Sequence, residues 1–231
     1  MPNDKCNHQT AVRFSLVLLL VFILAPEQAI SWGPITHLHL AERALGLHHP
    51  DIWYGAGLPD LNQFVLDNPQ AAETVRYLTH YEFERLPASM LAHGFTTHNE
   101  AWGTDWYSHH YFLSSPSAFS RVYSTRKILH LSNVLGVKLV EAEFLFEFAI
   151  EYLLYLNVGR EAGKKLLLGA LLFTPDKEDM LVEAFAAPLQ ELLPEITLED
   201  ATLEIQGAAR LYRTAMETRP MARYSCSMKR Q

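Results

Sequence analysis

The residues of this chain with the clearest metal chemistry begin at Trp32. Small residues precede it at Ala29 and Ser31, a pattern typical of a signal-peptidase site. Cleavage between Ser31 and Trp32 would leave Trp32 with a free α-amine, which can chelate a metal ion together with the Trp32 carbonyl oxygen. An internal backbone nitrogen is an amide and offers no free lone pair. His37 follows five residues later, close enough to complete such a site.

Other side chains that bind divalent metals are spread along the chain. The candidates are Asp60, His80, His98, Asp105, His109, Glu147 and Glu151. Asp105 and His109 are four residues apart, so a helix would present both on one face. His98 precedes Asp105 by about two helical turns, which predicts one helical segment for all three. In isolation, His80 could instead be a packed or capping imidazole, and Asp60 could be only a helix N-cap.

Three carboxylates recur at every fourth position of one apolar segment. Glu143, Glu147 and Glu151 lie among Leu, Phe, Ala and Ile side chains, so a core-facing helix would carry all three on one stripe. Buried together, they would repel each other and lose hydration, and bound metal ions would remove that cost. The alternative is a solvated stripe on a strongly amphipathic helix.

The segment before Trp32 predicts a signal peptide over residues 1–31. Lys5 and Arg13 supply its positive charge, and residues 14–24 form an apolar run of 11 residues. A transmembrane helix needs about 20 apolar residues, so this run is too short to span a bilayer comfortably. An uncleaved anchor is the alternative. Cleavage predicts a secreted or periplasmic protein.

Charge and cysteine content bound the remaining classes. The net charge is −7, which disfavours binding to nucleic acid through phosphate attraction, so no stable nucleic-acid partner is expected. Cleavage would remove Cys6 and leave only Cys226, so the mature chain would form no internal disulfide. Residues 219–231 hold the basic cluster outside the leader and are predicted to be a disordered tail.

The hydrophobic periodicity predicts an all-α, single-domain, multi-helix bundle over residues 32–218. Predicted helices cover residues 35–47, 69–80, 87–98, 105–113, 115–130, 137–156, 160–172, 176–193 and 197–218. Gly46 should end the first helix, and residues 55–60 should form a loop. The segment 137–156 is the most apolar, and it is expected to be the central helix.

Taken together, the candidate residues stand in motifs that resemble the zinc-dependent phospholipase C superfamily, which includes the S1/P1-type nucleases. The motifs are Trp-Gly-Pro-Ile-Thr-His from Trp32, Gly-Leu-Pro-Asp ending at Asp60, Thr-His-Tyr-Glu-Phe around His80, the His98–Asp105–His109 series, and Glu147 with Glu151. They span residues 32 to about 155 in the family's order. Residues 157–231 carry none of them.

The resemblance implies a helical bundle of the phospholipase C / P1 nuclease type with up to three Zn²⁺ ions. It assigns the first ion to Asp60, His80, His98 and Asp105, the second to Trp32, His37 and a shared Asp105, and the third to His109, Glu147 and Glu151. Asp60 would also be catalytic, because it would orient the attacking water.

Two features depart from the family pattern. The family usually spaces its His and Asp three residues apart, whereas six residues separate His98 from Asp105. In a continuous helix their α-carbons would lie about 10 Å apart along the axis, which is far for two ligands of one ion. The last ligand pair usually includes a histidine, whereas Glu147 and Glu151 are both carboxylates, and Glu143 with Glu147 is an alternative register. Carboxylates favour harder metals than zinc.

The function implied by the resemblance is hydrolysis of a phosphodiester bond by a metal-activated water. The expected substrate is a phospholipid, with transient contact to a membrane surface. One alternative is a single-strand nuclease in which the aromatic side chains Trp102, Trp106, Tyr107 and Tyr111 stack on bases. The other is a non-catalytic, metal-stabilised binding module that has lost the third site.

Overall fold

The computed structural model describes residues 32–106 and 123–218, and within these ranges it contains helices and no strand. The α-helices are α1 (Pro34–Leu45), α2 (Pro50–Gly55), α3 (Pro69–Tyr81), α4 (Met90–Thr96), α5 (Tyr123–Leu135), α6 (Leu139–Leu171), α7 (Pro175–Leu192) and α8 (Leu198–Thr218). Two 3-10 helices, Leu58–Phe64 and Phe83–Arg85, complete the described structure. The all-α prediction is confirmed. The predicted leader and tail lie outside the described residues.

Local signals set several helix ends as the sequence predicts. The Asn68 side chain accepts a hydrogen bond from the Ala71 N–H and caps α3, which is the predicted helix of residues 69–80 extended by one residue. Gly46 adopts a left-handed conformation with φ of 64° and ends α1. A side chain at that position would be strained, so glycine is the residue that permits this sharp end.

Two predictions around the site are wrong. The helix predicted over 87–98 is only Met90–Thr96, because the Ser89 hydroxyl caps it late by accepting the Ala92 N–H. The loop predicted over 55–60 is also helical at both ends. Gly55 is the last residue of α2, and Asp60 lies inside the 3-10 helix that begins at Leu58. Prolines in the first turns of both helices favour these starts.

The two helices predicted over 137–156 and 160–172 are one continuous helix, α6, of 33 residues. Gly159 does not break it, since a glycine inside a helix costs only about 1 kcal/mol relative to alanine. Gly169 has a packing role. A Cβ added there would lie 2.9 Å from the Pro50 carbonyl oxygen, so the glycine lets α6 and α2 approach closely.

The first half of α6 is not the central element that its composition predicts. Its apolar side chains surround the helix on all sides, and Tyr152, Leu153 and Leu156 remain about half exposed. Most of the buried positions of α6 lie in its second half, among them Ala162, Leu166 and Ala170. Within the described ranges, no helix is both long enough and apolar enough to cross a membrane.

The main core lies where α3, α7 and α8 meet the first 3-10 helix. Its largest fully buried members include Leu61, Leu78, Phe185 and Leu189, which are joined by Ile205 of α8. This core supports the 3-10 helix that carries Asp60 and the helix that carries His80. The packing of the C-terminal helices therefore fixes two of the candidate ligands.

A polar tie joins α1, α2 and α6 on another side of the molecule. Both carboxylate oxygens of Glu42 accept hydrogen bonds from Lys165 Nζ at 2.7 Å, and one of them also accepts the Trp53 indole N–H at 2.6 Å. The ammonium of Lys165 also lies over the Trp53 ring. These contacts hold α1 against α6, the same pair of helices that carries His37 and Glu151.

Candidate metal centre

Three imidazoles and two carboxylates from separate elements converge in the interior. They are His37 of α1, Asp60 of the 3-10 helix, His80 of α3, His98 just after α4, and Asp105. All five are buried, and the structure thus brings together five of the nine predicted ligands. His98 belongs to two triads whose ligand atoms all lie within 4.8 Å of one another, one with His37 and Asp60 and one with His80 and Asp105.

The Nε2 atoms of the imidazoles face the carboxylates. Nε2 of His98 lies 3.2 Å from Asp105 Oδ2, and Nε2 of His80 lies 3.4 Å from the same oxygen. Nε2 of His37 lies 3.7 Å from Asp105 Oδ1 and 3.9 Å from Asp60 Oδ2. Asp105 is therefore shared by all three histidines, as the resemblance implies for a bridging ligand.

Each imidazole is held through its other nitrogen. Nδ1 of His98 lies 2.8 Å from the Ala56 carbonyl oxygen, and Nδ1 of His80 lies 2.9 Å from the Arg76 carbonyl oxygen. A carbonyl oxygen only accepts, so both Nδ1 atoms carry the proton and donate. Nδ1 of His37 pairs with the Thr104 hydroxyl at 2.8 Å. These contacts of Nδ1 leave the Nε2 atoms directed at the centre, as in metal-binding histidines.

A folded-back loop brings Asp105 to His98, which corrects the prediction of one helical segment. The chain leaves α4 after Thr96 and returns, so that the Asp105 N–H donates to the His98 carbonyl at 3.1 Å. The Asn99 side-chain oxygen accepts the backbone N–H groups of Ala101, Trp102 and Gly103 and so caps the loop from inside. The wide spacing between His98 and Asp105 is therefore compatible with one site.

The electrostatics of the cluster couple His98 to the carboxylates. Burial disfavours a charged His98, but the negative charges of Asp105 and Asp60 outweigh burial and raise the pKa of His98 from 6.5 to about 9. Burial likewise acts against a charged Asp105, and the neighbouring His98 overrides it and holds the pKa of Asp105 well below its usual value. A positive charge is thus favoured among these side chains.

The donor set fits a divalent metal. Zinc binds His and carboxylate ligands at about 2.0–2.2 Å, which places two ligands of a tetrahedral site roughly 3.3 Å apart. The distances of 3.2 and 3.4 Å from Asp105 Oδ2 to Nε2 of His98 and of His80 match that separation. Buried Nε2 of His98 has no well-aligned hydrogen bond within the part of the chain that the structure describes. The mixed N/O set is compatible with zinc and with other first-row metals.

The remaining predicted ligands are placed differently. The Trp32 ring lies beside His37, with ring centroids 6.5 Å apart. Glu147 is buried on α6, so the solvated-stripe alternative does not hold for it, but it joins neither triad. Both Glu151 oxygens accept hydrogen bonds from the first turn of α1. His109, the remaining residue predicted for the third ion, lies outside the described residues.

Sequence reasoning missed the side chains that hold the ligands. Thr104 supports His37, and the exposed Gln63 donates its amide N–H to Asp60 Oδ1 at 3.0 Å. Gln63 lies three residues after Asp60, a spacing that brings side chains together in a helix and could have indicated this contact. Thr104 gave no such signal, because its partner is 67 residues away.

The fold and the site together define an all-α protein with a buried histidine–aspartate cluster. No protein-family model, no curated protein and no solved structure matches the chain. The function must therefore be argued from the geometry of the cluster and from the motifs in the sequence.

Proposed function

We propose that this protein is a metal-dependent hydrolase of phosphodiesters, with phospholipids as its substrate class. The observation that carries the proposal is the convergence of three Nε2 atoms, each with its Nδ1 held by an oxygen, on the carboxylates of Asp60 and Asp105. Such pre-oriented, buried and charge-coupled groups are typical of a catalytic metal centre. The order of the motifs from Trp32 to Glu151 supports the choice of reaction.

In this proposal some residues of the cluster bind the metal ions and one, Asp60, acts on the attacking water. His80, His98 and Asp105 would hold one ion, and His37 with Asp105 would hold a second. A divalent ion there supplies Lewis acidity to a phosphoryl oxygen and lowers the pKa of water toward 7.

Asp60 is suited to a different role. Its side chain is 10% exposed, whereas that of Asp105 is 1% exposed, so Asp60 lies at the edge of the cluster that water can reach. Its carboxylate can accept a proton from an attacking water and orient that water. Gln63 holds Asp60 Oδ1 by a hydrogen bond and so limits the directions in which the carboxylate can turn.

The test is hydrolysis by the purified chain, supplied with Zn²⁺, of phosphatidylcholine vesicles and of bis(p-nitrophenyl) phosphate. We expect turnover that Asp60→Asn reduces by roughly 10²–10⁴-fold, the range typical for loss of a general base. His98→Ala should abolish turnover and lower the metal content. His93→Ala is the matched control, because His93 is an exposed histidine on α4 outside the cluster.

Metal binding without hydrolysis of any phosphodiester would refute the enzyme and leave the metal-stabilised binding module. Absence of metal from the wild-type chain would refute both readings.

A single-strand nuclease is the second candidate, and Trp102 favours it. This indole is 55% exposed, lies on the loop that leads to Asp105, and packs edge-on against Phe83. An exposed indole next to a metal centre can stack on an unpaired base. Cleavage of single-stranded DNA faster than lecithin, with loss of that cleavage in Trp102→Ala, would establish this substrate class.

A further inference from the structure

Helix α1 begins without a cap of its own. Its N-cap residue is Gly33, which has no side chain to accept a hydrogen bond, and no acidic residue lies in the first turn. The first backbone N–H groups of a helix need acceptors, and their partial positive charge favours an anion. Within the turn the Gly33 carbonyl oxygen accepts the Thr36 N–H at 2.9 Å, but the described residues next to α1 in the sequence offer no acceptor to the Ile35 N–H and no acidic side chain to the first turn.

Glu151 of α6 supplies both from more than a hundred positions away. Its Oε1 accepts the Ile35 N–H at 3.0 Å, and its Oε2 accepts the Thr36 N–H at 2.9 Å and the Thr36 hydroxyl at 2.7 Å. One carboxylate thus satisfies three donors of the first turn. This is the role of an N-cap side chain, performed by a residue of another helix.

The fit depends on Gly33. A Cβ added to Gly33 would lie 2.4 Å from Cδ of Glu151, so any other residue there would displace the carboxylate. The backbone of Gly33 has φ of −69° and ψ of 164°, which any L-residue can adopt. The glycine is therefore required by the approach of Glu151 and not by its own backbone conformation.

The capped turn leads directly into the metal centre. Thr36, which makes two of the three hydrogen bonds, is followed by His37, whose ring stacks on His98 with centroids 3.8 Å apart. A shift of the first turn of α1 would move His37 relative to Asp60 and Asp105. The hydrogen bonds of Glu151 to the first turn of α1 therefore influence where His37 lies in the cluster.

We infer that Glu151 is the N-terminal cap of α1 and the positioning residue for His37, in place of the metal-ligand role that the resemblance gives it. This inference rests on the metal centre proposed above. It also means that the third ligand set would lose one of its carboxylates to a structural task.

The experiment compares Glu151→Ala, Gly33→Ser and the double variant with wild type. In the metal-free protein, amide exchange at Ile35 and Thr36 and the ring-proton shifts of His37 report the cap and the stacking on His98. With Zn²⁺ added, competition with a chromophoric chelator reports affinity. Glu161→Ala is the matched control, since Glu161 is an exposed carboxylate on the same helix.

We expect Glu151→Ala to speed exchange at the Ile35 amide about tenfold, as for loss of a helix cap, and at the Thr36 amide by less, because that N–H also donates to the Gly33 carbonyl. The same variant should shift the His37 ring protons and weaken Zn²⁺ binding about tenfold. Gly33→Ser alone should show the same changes, because its Cβ displaces the carboxylate. In the Glu151→Ala background the space is free, and serine is a good N-cap, so the double variant should regain slow exchange, the wild-type His37 shifts and Zn²⁺ affinity.

Unchanged amide exchange in Glu151→Ala would overturn the inference. So would the loss of one Zn²⁺ per chain in Glu151→Ala if the double variant with Gly33→Ser did not regain that ion. The second result would make Glu151 a ligand. A wild-type chain that binds no Zn²⁺ would refute the proposed function alone, because the exchange rates and the His37 shifts of the metal-free protein still decide the cap.

Discussion

At the scale of single residues, the tautomer of each histidine is decided by what its Nδ1 meets. His98 donates to a backbone carbonyl, and His80 donates to the Arg76 carbonyl while the Thr79 hydroxyl also lies 2.9 Å from its Nδ1. His37 depends on a side chain, Thr104. The three imidazoles therefore differ in how a single substitution can disturb them: His80 and His98 keep a backbone carbonyl whatever side chain is changed, whereas His37 loses its Nδ1 partner when Thr104 is mutated.

Thr104→Val should weaken metal binding while leaving the fold intact. Valine keeps the shape of threonine but removes the oxygen that pairs with His37 Nδ1, and loss of a partner that orients a metal-binding histidine typically costs about 10–100-fold in metal affinity. Zn²⁺ titration against a competing chelator measures the change. Thr214→Val is the control, because that exposed hydroxyl bonds to the Arg210 carbonyl of its own helix, away from the cluster. Equal affinities of wild type and Thr104→Val would contradict the assigned role.

The metal-free protein should lose stability as the pH rises from about 6.5 to 9. The pKa of His98 is raised in the folded state, so the stabilisation from its protonated form is complete below 6.5 and disappears as the pH passes through about 9. A shift of this size corresponds to a loss on the order of 3 kcal/mol. Urea unfolding of chelator-treated protein at several pH values measures it.

The metal-loaded protein is the control for that pH series, since a metal binds neutral imidazole and replaces the proton. Its stability should not fall over the same interval. A metal-free protein whose stability is flat from pH 6.5 to 9 would show that His98 is not coupled to Asp105 and Asp60 as the structure indicates.

At the scale of elements, the site depends on how α1 is fastened to α6. Glu42 accepts from Lys165 and from Trp53, and its side chain is only 11% exposed. Burial opposes ionisation of Glu42, but hydrogen bonds from Lys165 and then His48 lower its pKa below the usual value. This contact and the Glu151 cap are two separate connections between the same helices.

Glu42→Gln should destabilise the protein by about 2 kcal/mol, because it leaves the largely buried Lys165 without its counter-charge. Glu73→Gln is the matched control. Glu73 pairs with Arg76 on the surface of α3, and such exposed pairs contribute roughly 0–1 kcal/mol. Chemical unfolding of the two variants measures the difference. Similar losses in both would mean that the tie between α1 and α6 contributes no more than a surface ion pair.

The elements also show what the sequence could and could not predict. The caps at Gly46 and Asn68 are local, so the ends that they set were predictable. The loop between His98 and Asp105 was not predictable. The spacing of these two residues favours a helix, whereas the hydrogen bonds that the Asn99 side chain accepts from the backbone stabilise a loop. The continuity of α6 was also not predictable, because packing along a long helix overrides the modest cost of one glycine, Gly159.

The residues that meet in the cluster were largely predictable from the sequence, whereas the groups that orient them were not. Five of the predicted ligands meet in space. They could be predicted because His and Asp are the residue types that metal sites use, and these types are easily recognised in a sequence. The groups that orient them are backbone carbonyls, Thr104 and the Glu151 cap, which depend on long-range packing. Glu151 shows the limit most clearly, since its type and spacing suit a ligand while its hydrogen bonds make it a cap.

At the scale of the whole molecule, a metal in this cluster would link four separate elements of the N-terminal half of the chain. The five residues come from α1, the first 3-10 helix, α3 and the segment after α4. A ligand that binds only the folded state stabilises it by about 4 kcal/mol at a thousand times its dissociation constant. Metal binding would therefore stabilise the N-terminal half of the molecule directly, and α7 and α8 through the apolar core that they share with it.

Removal of metal should accordingly lower the melting temperature by on the order of 10 °C for a chain of this size. Hydrogen exchange should show the largest loss of protection in residues 34–106, because all five residues of the cluster lie there, and a smaller loss in α7 and α8, which share the apolar core with that segment. Calorimetry of metal-loaded and chelator-treated protein gives the shift, and His98→Ala is the control on which chelator should have no effect. Equal melting temperatures with and without chelator would show that a metal ion does not stabilise the cluster. Uniform loss of protection across α7 and α8 would instead show that the two halves unfold as one cooperative unit.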